Sequence, residues 1–176
     1  MTDTDAEMTN KIEQYKELFV KKNLFRRKHE TEENDDEYLD LISFSLLKET
    51  YGIELMSLKE ILKAENIERI PKCDDFLIGI LNLRGTLITV VDLKKRMGFE
   101  TSDMTKDSRI IIVEHQKRSI GFLVDRVNEI MKLEKQSIVD PPVGVNTVRE
   151  AFIEGVGKIE EGEIILANLE KILAFE

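Results

Sequence analysis

The chain carries the same short pattern twice, 69 residues apart. Gly52-Ile53-Glu54-Leu55-Met56-Ser57-Leu58-Lys59-Glu60-Ile61 aligns without a gap on Gly121-Phe122-Leu123-Val124-Asp125-Arg126-Val127-Asn128-Glu129-Ile130. Each copy reads as a strand, a polar turn, then an apolar residue, one intervening position and Glu-Ile. The segments before them also correspond, Ile42-Ser43-Phe44 with Ile111-Ile112-Val113. A third match, Val90-Val91-Asp92-Leu93-Lys94-Lys95 with Leu166-Ala167-Asn168-Leu169-Glu170-Lys171, has an offset of 76. Three matches in one order predict two similar half-domains packed together.

The local patterns fit short strands. Ile42, Phe44 and Leu46 alternate with Ser43 and Ser45, the period of a half-buried strand. Residues 87–91, 110–113 and 122–124 are short apolar or β-branched runs. Glycines and charged clusters punctuate them, at 48–52, at Gly85, at 115–119 and at 160–162. Many short strands at this spacing predict a mainly β fold, as small barrels or a sandwich. Asp92 reads as the N-cap of a short helix over 93–97, with Gly98 after its end. Two packed barrels leave a groove between them, a usual place for a ligand or partner.

The chain divides near residue 37. Met8, Ile12, Tyr15 and Phe19 fall on one face of a helix predicted within 1–29, capped by Thr4 with Glu7 three residues on. Residues 30–37 hold six acids in eight, a self-repelling run that reads as a linker. The expected organisation is an amphipathic helix and acidic linker over 1–37 and a β-rich domain over 38–176. Residues 11–29 hold seven bases and two acids, which allows a weak attraction to anionic lipid, but the acids that follow oppose it. A flexible or partner-bound helix is the favoured expectation.

Charge and composition exclude several classes. With 26 bases and 35 acids the formal net charge is −9, which argues against nucleic acid, since that partner needs a cationic face. No uncharged run exceeds eight residues, far short of the roughly 20 apolar residues of a spanning helix. The N-terminus lacks the apolar stretch of a signal peptide. The single cysteine, Cys73, allows no internal disulfide and fits a reducing cytoplasm. With His29 and His115 it makes a poor metal inventory and no metal site is expected, although counting leaves carboxylate sites for hard cations open.

No phosphate loop, dinucleotide fingerprint, nucleophile elbow or zinc motif occurs. His115 is expected as a solvated side chain at a turn. Cys73 is expected as a small core residue or a partly exposed thiol, not a nucleophile, because no histidine is near it in sequence. Glu60 and Glu129 draw interest because they recur at matched positions. The most specific segment is Gly79-Ile80-Leu81-Asn82-Leu83-Arg84-Gly85-Thr86-Leu87-Ile88-Thr89-Val90-Val91-Asp92-Leu93. Gly85 permits a positive-φ turn, and a stiff hairpin there would hold Arg84, whose guanidinium can pair bidentately with a carboxylate.

This segment resembles the Asn-Leu-Arg-Gly hairpin of the CheW family, adaptor proteins of bacterial and archaeal chemosensory arrays. Further marks are Tyr51-Gly52-Ile53, Leu58-Lys59-Glu60-Ile61, and Ile70-Pro71 leading to Phe76-Leu77-Ile78-Gly79. Gly121-Phe122-Leu123-Val124-Asp125 follows, with Val127 and Ile130, then Phe152-Ile153-Glu154-Gly155-Val156-Gly157, Ile164-Ile165-Leu166 and a closing helix over 168–175. The resemblance runs from about Tyr38 to the end of the sequence. It implies two packed five-stranded β-barrel subdomains with a C-terminal helix, no enzymatic activity and no cofactor. It implies a cytoplasmic scaffold that couples the cytoplasmic tip of methyl-accepting chemoreceptors to the regulatory domain of a CheA-type histidine kinase. Carried over by position, Leu55, Leu58, Glu60, Ile61 and Arg84 form much of the receptor side, with Val127 and Ile130 across the groove, and Glu60 pairs with Arg84. Asn82, Gly85 and Asp92 are structural positions of the same motif. Thr89 stands where the family usually has proline, and the 37-residue extension exceeds the usual tail. The competing expectations are a CheW-like adaptor of another chemosensory pathway, such as surface motility, and a small metabolite-binding barrel.

Overall fold

The computed structural model describes residues 37–100, 103–141, 147–160 and 162–175, with Glu7, Asn10, Glu13, Gln14 and Glu17 in the N-terminal stretch. Those five positions are helical and exposed. The apolar face expected at Met8, Ile12, Tyr15 and Phe19, and the acidic run over 30–36, lie outside the described residues.

From Tyr38 the described chain is mainly strand. β1 (Tyr38–Leu46), β2 (Glu49–Glu54), β8 (Arg126–Glu134), β9 (Ile138–Val139), β10 (Ile153–Ile159) and β11 (Gly162–Ala167) form a six-stranded sheet in the order β8-β1-β2-β11-β10-β9. β3 (Leu58–Lys63), β4 (Leu77–Leu83), β5 (Thr86–Asp92), β6 (Arg109–His115) and β7 (Arg118–Val124) form a five-stranded sheet in the order β3-β6-β7-β5-β4. Three short helices accompany them: α1 (Leu93–Arg96) after β5, α2 (Thr147–Glu150) before β10, and α3 (Leu169–Leu173) after β11.

The repeat read from the sequence is a repeat of register. Ile42 opposes Ile130 and Phe44 opposes Val127 in one sheet; Ile111 opposes Ile61 and Val113 opposes Leu58 in the other. The ladder shifts by a residue between these pairs in both sheets. Gly52 lies beside Ser43 and Leu166, as Gly121 lies beside Ile112 and Val90. The β2–β11 and β5–β7 pairs are both parallel. The small helices repeat too. Asp92 Oδ1 accepts from the Lys95 amide at 3.2 Å, and Asn168 Oδ1 accepts from the Lys171 amide at 3.0 Å. Each cap satisfies an amide that the helix start would leave unpaired.

Each sheet curls around its own apolar interior. Leu81, Ile88, Val90, Ile110, Ile112 and Leu123 fill the five-stranded barrel, and Leu41, Leu133, Ile164 and Leu166 fill the other. The opposite faces of the same strands meet in a larger shared core that includes Phe44, Tyr51, Leu55, Leu58, Val113, Phe122 and Ile172. Strands covered on both sides lose the polar alternation, which is why 110–113 is apolar throughout. The glycines of the repeat sit where a Cβ would crowd a packed neighbour. A Cβ on Gly52 would lie 2.8 Å from Ile164 Cδ1, and one on Gly121 would lie 2.7 Å from Ile110 Cγ2. The expected break at 48–52 is therefore corrected: the turn is Leu47-Lys48, and Glu49 onward, Gly52 included, is strand β2.

The two halves are also tied by an arginine that sequence reasoning missed. Arg96, at the end of α1, donates through Nε to the Ile172 carbonyl (3.0 Å) and through an Nη to that of Ala174 (2.9 Å). Its guanidinium carbon lies 4.7, 4.9 and 5.5 Å from the ring centroids of Phe76, Phe152 and Phe175. Burial lowers the proton affinity of this guanidinium, and the Asp74 charge opposes that shift.

Candidate functional site

Arg84 stands at the tip of the β4–β5 hairpin, whose last strand pair is Leu83 with Thr86. Arg84 has φ +52° and Gly85 φ +88°. Positive φ at both central residues makes the two-residue turn whose twist matches the strands. Asn82 Oδ1 accepts from the Gly85 amide at 2.8 Å and closes the turn from the side. An Arg84 Nη then reaches Glu60 Oε1 at 3.1 Å. The expected pairing is present, and it joins β3 and β4–β5, the two ends of the five-stranded sheet.

This pair is not what holds the fold. The Arg84 side chain is 80% exposed and that of Glu60 22%. Such a pair contributes about 0–1 kcal/mol. One fully buried leucine or isoleucine of the core contributes about 1.5–3 kcal/mol. A charge fixed in solvent, at little gain to stability, is available to something outside the chain.

The sequence-derived residues fall into two groups. Ile61, Val127 and Ile130 are half-buried and pack on the shared core from β3 and β8, the strands that cross from one half to the other. Leu55 and Leu58 belong to that core at 1% exposure each and offer no surface to a partner; they support the residues beside them from below. Glu60 and Arg84 form the polar group, and Glu60 adjoins Ile61 on β3. Asp92 is a buried helix cap, and Asn82 and Gly85 build the turn. Glu129, the repeat mate of Glu60, is exposed, and its backbone is bonded on both sides by Ser43 Oγ. The position matching Arg84 at the second offset is Glu160, so the cross-link belongs to one half only.

One further expectation changes, and one alternative is decided. His115 lies at the expected strand end, closing β6 before the turn Gln116-Lys117, but it is half-buried rather than solvated, and its Nε2 is buried with no hydrogen-bond partner among the described residues. Cys73 is half-buried, with Sγ 3.2 Å from the carbonyls of both Ile70 and Leu77. It lines a cleft of about 420 Å³ with Arg69, Lys72, Lys95 and Met104, at the end of the β4–β5 hairpin opposite its tip. Among the described residues no three His, Cys, Asp or Glu side chains gather as a metal site, and no helix is long and apolar enough to cross a membrane.

Paired barrels with a fixed charge at a hairpin tip and half-buried aliphatics at their junction define a β-rich scaffold class. The comparisons give the family. The CheW-like domain profile matches residues 40–176, and the chain belongs to that family. It is 29% identical over 157 residues to the chemotaxis protein CheW of Helicobacter pylori, covering 86% of this chain and 94% of that protein. It is 28% identical over 137 residues to the CheW of Klebsiella aerogenes, covering 78% and 82%. The crystal structure of the scaffolding protein TtCheW from Thermoanaerobacter tengcongensis matches with a TM-score of 0.72 and 39% identity, over 78% of this chain and 94% of that one. The chain is thus a chemotaxis adaptor of the CheW type.

Proposed function

We propose that this adaptor couples the cytoplasmic tip of a chemoreceptor to the regulatory domain of a CheA-type histidine kinase, in the cytoplasm and without catalysis of its own. Ile61, Val127 and Ile130 receive the receptor tip at the barrel junction, and Arg84 presents its planar donor fork beside them to a partner carboxylate. The observation that carries the reading is the Arg84–Glu60 link, a guanidinium fixed at 3.1 Å yet 80% exposed. The same chain meets the kinase through a barrel surface, so one molecule contacts both partners.

Co-sedimentation tests the reading. Receptor-bearing membranes and an isolated kinase regulatory domain should each retain the purified chain, and Arg84→Ala should weaken receptor retention while the chain stays folded by circular dichroism. Full retention of folded Arg84→Ala by the receptor would contradict the assigned role. A purified sample that turns over nucleotide with no kinase present, at a rate abolished by a mutation in this chain, would contradict the non-catalytic part.

A further inference from the structure

We infer that Asn82 is the positioning residue for Arg84, acting through the backbone of the turn and not through contact with a partner; this rests on the proposed role of Arg84. An arginine in the left-handed region pays for a conformation that glycine or asparagine adopts more easily. At φ +52° Arg84 needs a restraint to stay there, and Gly85 at φ +88° has nothing within 4 Å of where a Cβ would be, so packing does not supply one. The hydrogen bond from the Gly85 amide to Asn82 Oδ1, at 2.8 Å, does. It satisfies a tip amide and fixes the peptide that follows Arg84. Asn82 faces Leu87 across the hairpin, and both side chains are exposed, so Asn82 has no part in the core. Its amide is spent on the turn, and the turn sets the direction from which the guanidinium reaches Glu60.

An acceptor is what the position requires. Aspartate retains a carboxyl oxygen at the same reach, whereas alanine leaves the Gly85 amide to water. Asn82→Ala in the full chain should speed exchange of the Gly85 amide about two- to tenfold, the factor one net hydrogen bond supplies. Receptor retention should fall toward that of Arg84→Ala while the unfolding midpoint stays close to that of the parent. Asn82→Asp should restore both slow exchange and retention, a rescue that a general loss of stability would not allow. Asn82→Ala combined with Arg84→Ala should be no weaker than Arg84→Ala alone, because the two act through one guanidinium. Unchanged Gly85 exchange in Asn82→Ala overturns the inference, as does a double variant in which the two losses add in full. If Arg84→Ala alone leaves retention intact, the role of Arg84 fails, and Gly85 exchange still decides whether Asn82 holds the turn.

Discussion

Arg96 and Arg84 are used in opposite ways. Arg96 lies among three phenyl rings and binds the last carbonyls of α3, whereas Arg84 stands in solvent. Arg96→Ala removes cation–π contacts and unpairs helix-end carbonyls, and it should lower stability by about 1–3 kcal/mol. Arg96→Lys should recover only part of that, since an ammonium lacks the planar fork. Urea unfolding measures both, and a midpoint for Arg96→Ala equal to the parent's would show that the clamp adds nothing. Tyr51 supplies a pH test. Its hydroxyl donates to Glu49 at 2.7 Å, and burial, then that bond, raises its pKa above the ordinary value of 10.0. The stabilisation is complete below about pH 10 and falls as pH rises further, because the unfolded chain loses its tyrosine proton first. Unfolding followed from pH 9 to 11 should show this decline, and Tyr51→Phe should flatten it. The hairpin that holds Arg84 was legible because it is a local pattern, whereas its pairing with Glu60 came only from the family resemblance. Arg96 was not, because its partners are drawn from residues 76, 152 and 171–175, which only the fold brings together. The burial of Leu55 and Leu58 was hidden for a related reason: they sit in the 3-10 turn and strand start where the chain crosses between barrels, with Glu54, Met56 and Lys59 exposed around them, and only the fold decides which of these positions face the core.

At the scale of elements, the repeat is the feature the sequence carried best. Both offsets reappear as matched registers, matched parallel pairs and matched helix caps. What the pattern did not give is the exchange of strands: β3 follows β2 in sequence but joins the five-stranded sheet, and β8 follows β7 but joins the six-stranded one. Pairing across such distances depends on the whole apolar surface, not on a local period. The matched glycines make a graded test. Gly121→Ala should destabilise more than Gly52→Ala, within a range of about 1–3 kcal/mol for overpacking. The obstacle at 121 is the branch methyl of Ile110, which is close to its own backbone, whereas the obstacle at 52 is the terminal methyl of Ile164, which can turn aside. Chemical denaturation of the two single variants decides it, and equal losses would mean that both sites relax alike. Thr89 lies in β5, opposite Ile80 of β4 and beside Ile120 of β7.

From Tyr38 on, the described residues form two barrels that share one core. Deleting residues 1–37 should leave a single cooperative thermal transition, because among the described residues the shared core and both barrel interiors are filled by side chains after Tyr38. Loss of that transition would show that the N-terminal stretch completes the fold. Coupling itself is tested most directly by kinase phosphorylation in a reconstituted system of receptor membranes, kinase and this chain, with and without the receptor's ligand. The parent chain should place the kinase under ligand control, folded Arg84→Ala and Glu60→Ala should weaken that control, and their double variant should lose less than the sum of the two. Full ligand control by folded Arg84→Ala, or no control by the parent chain with its cognate receptor and kinase, would contradict the coupling role.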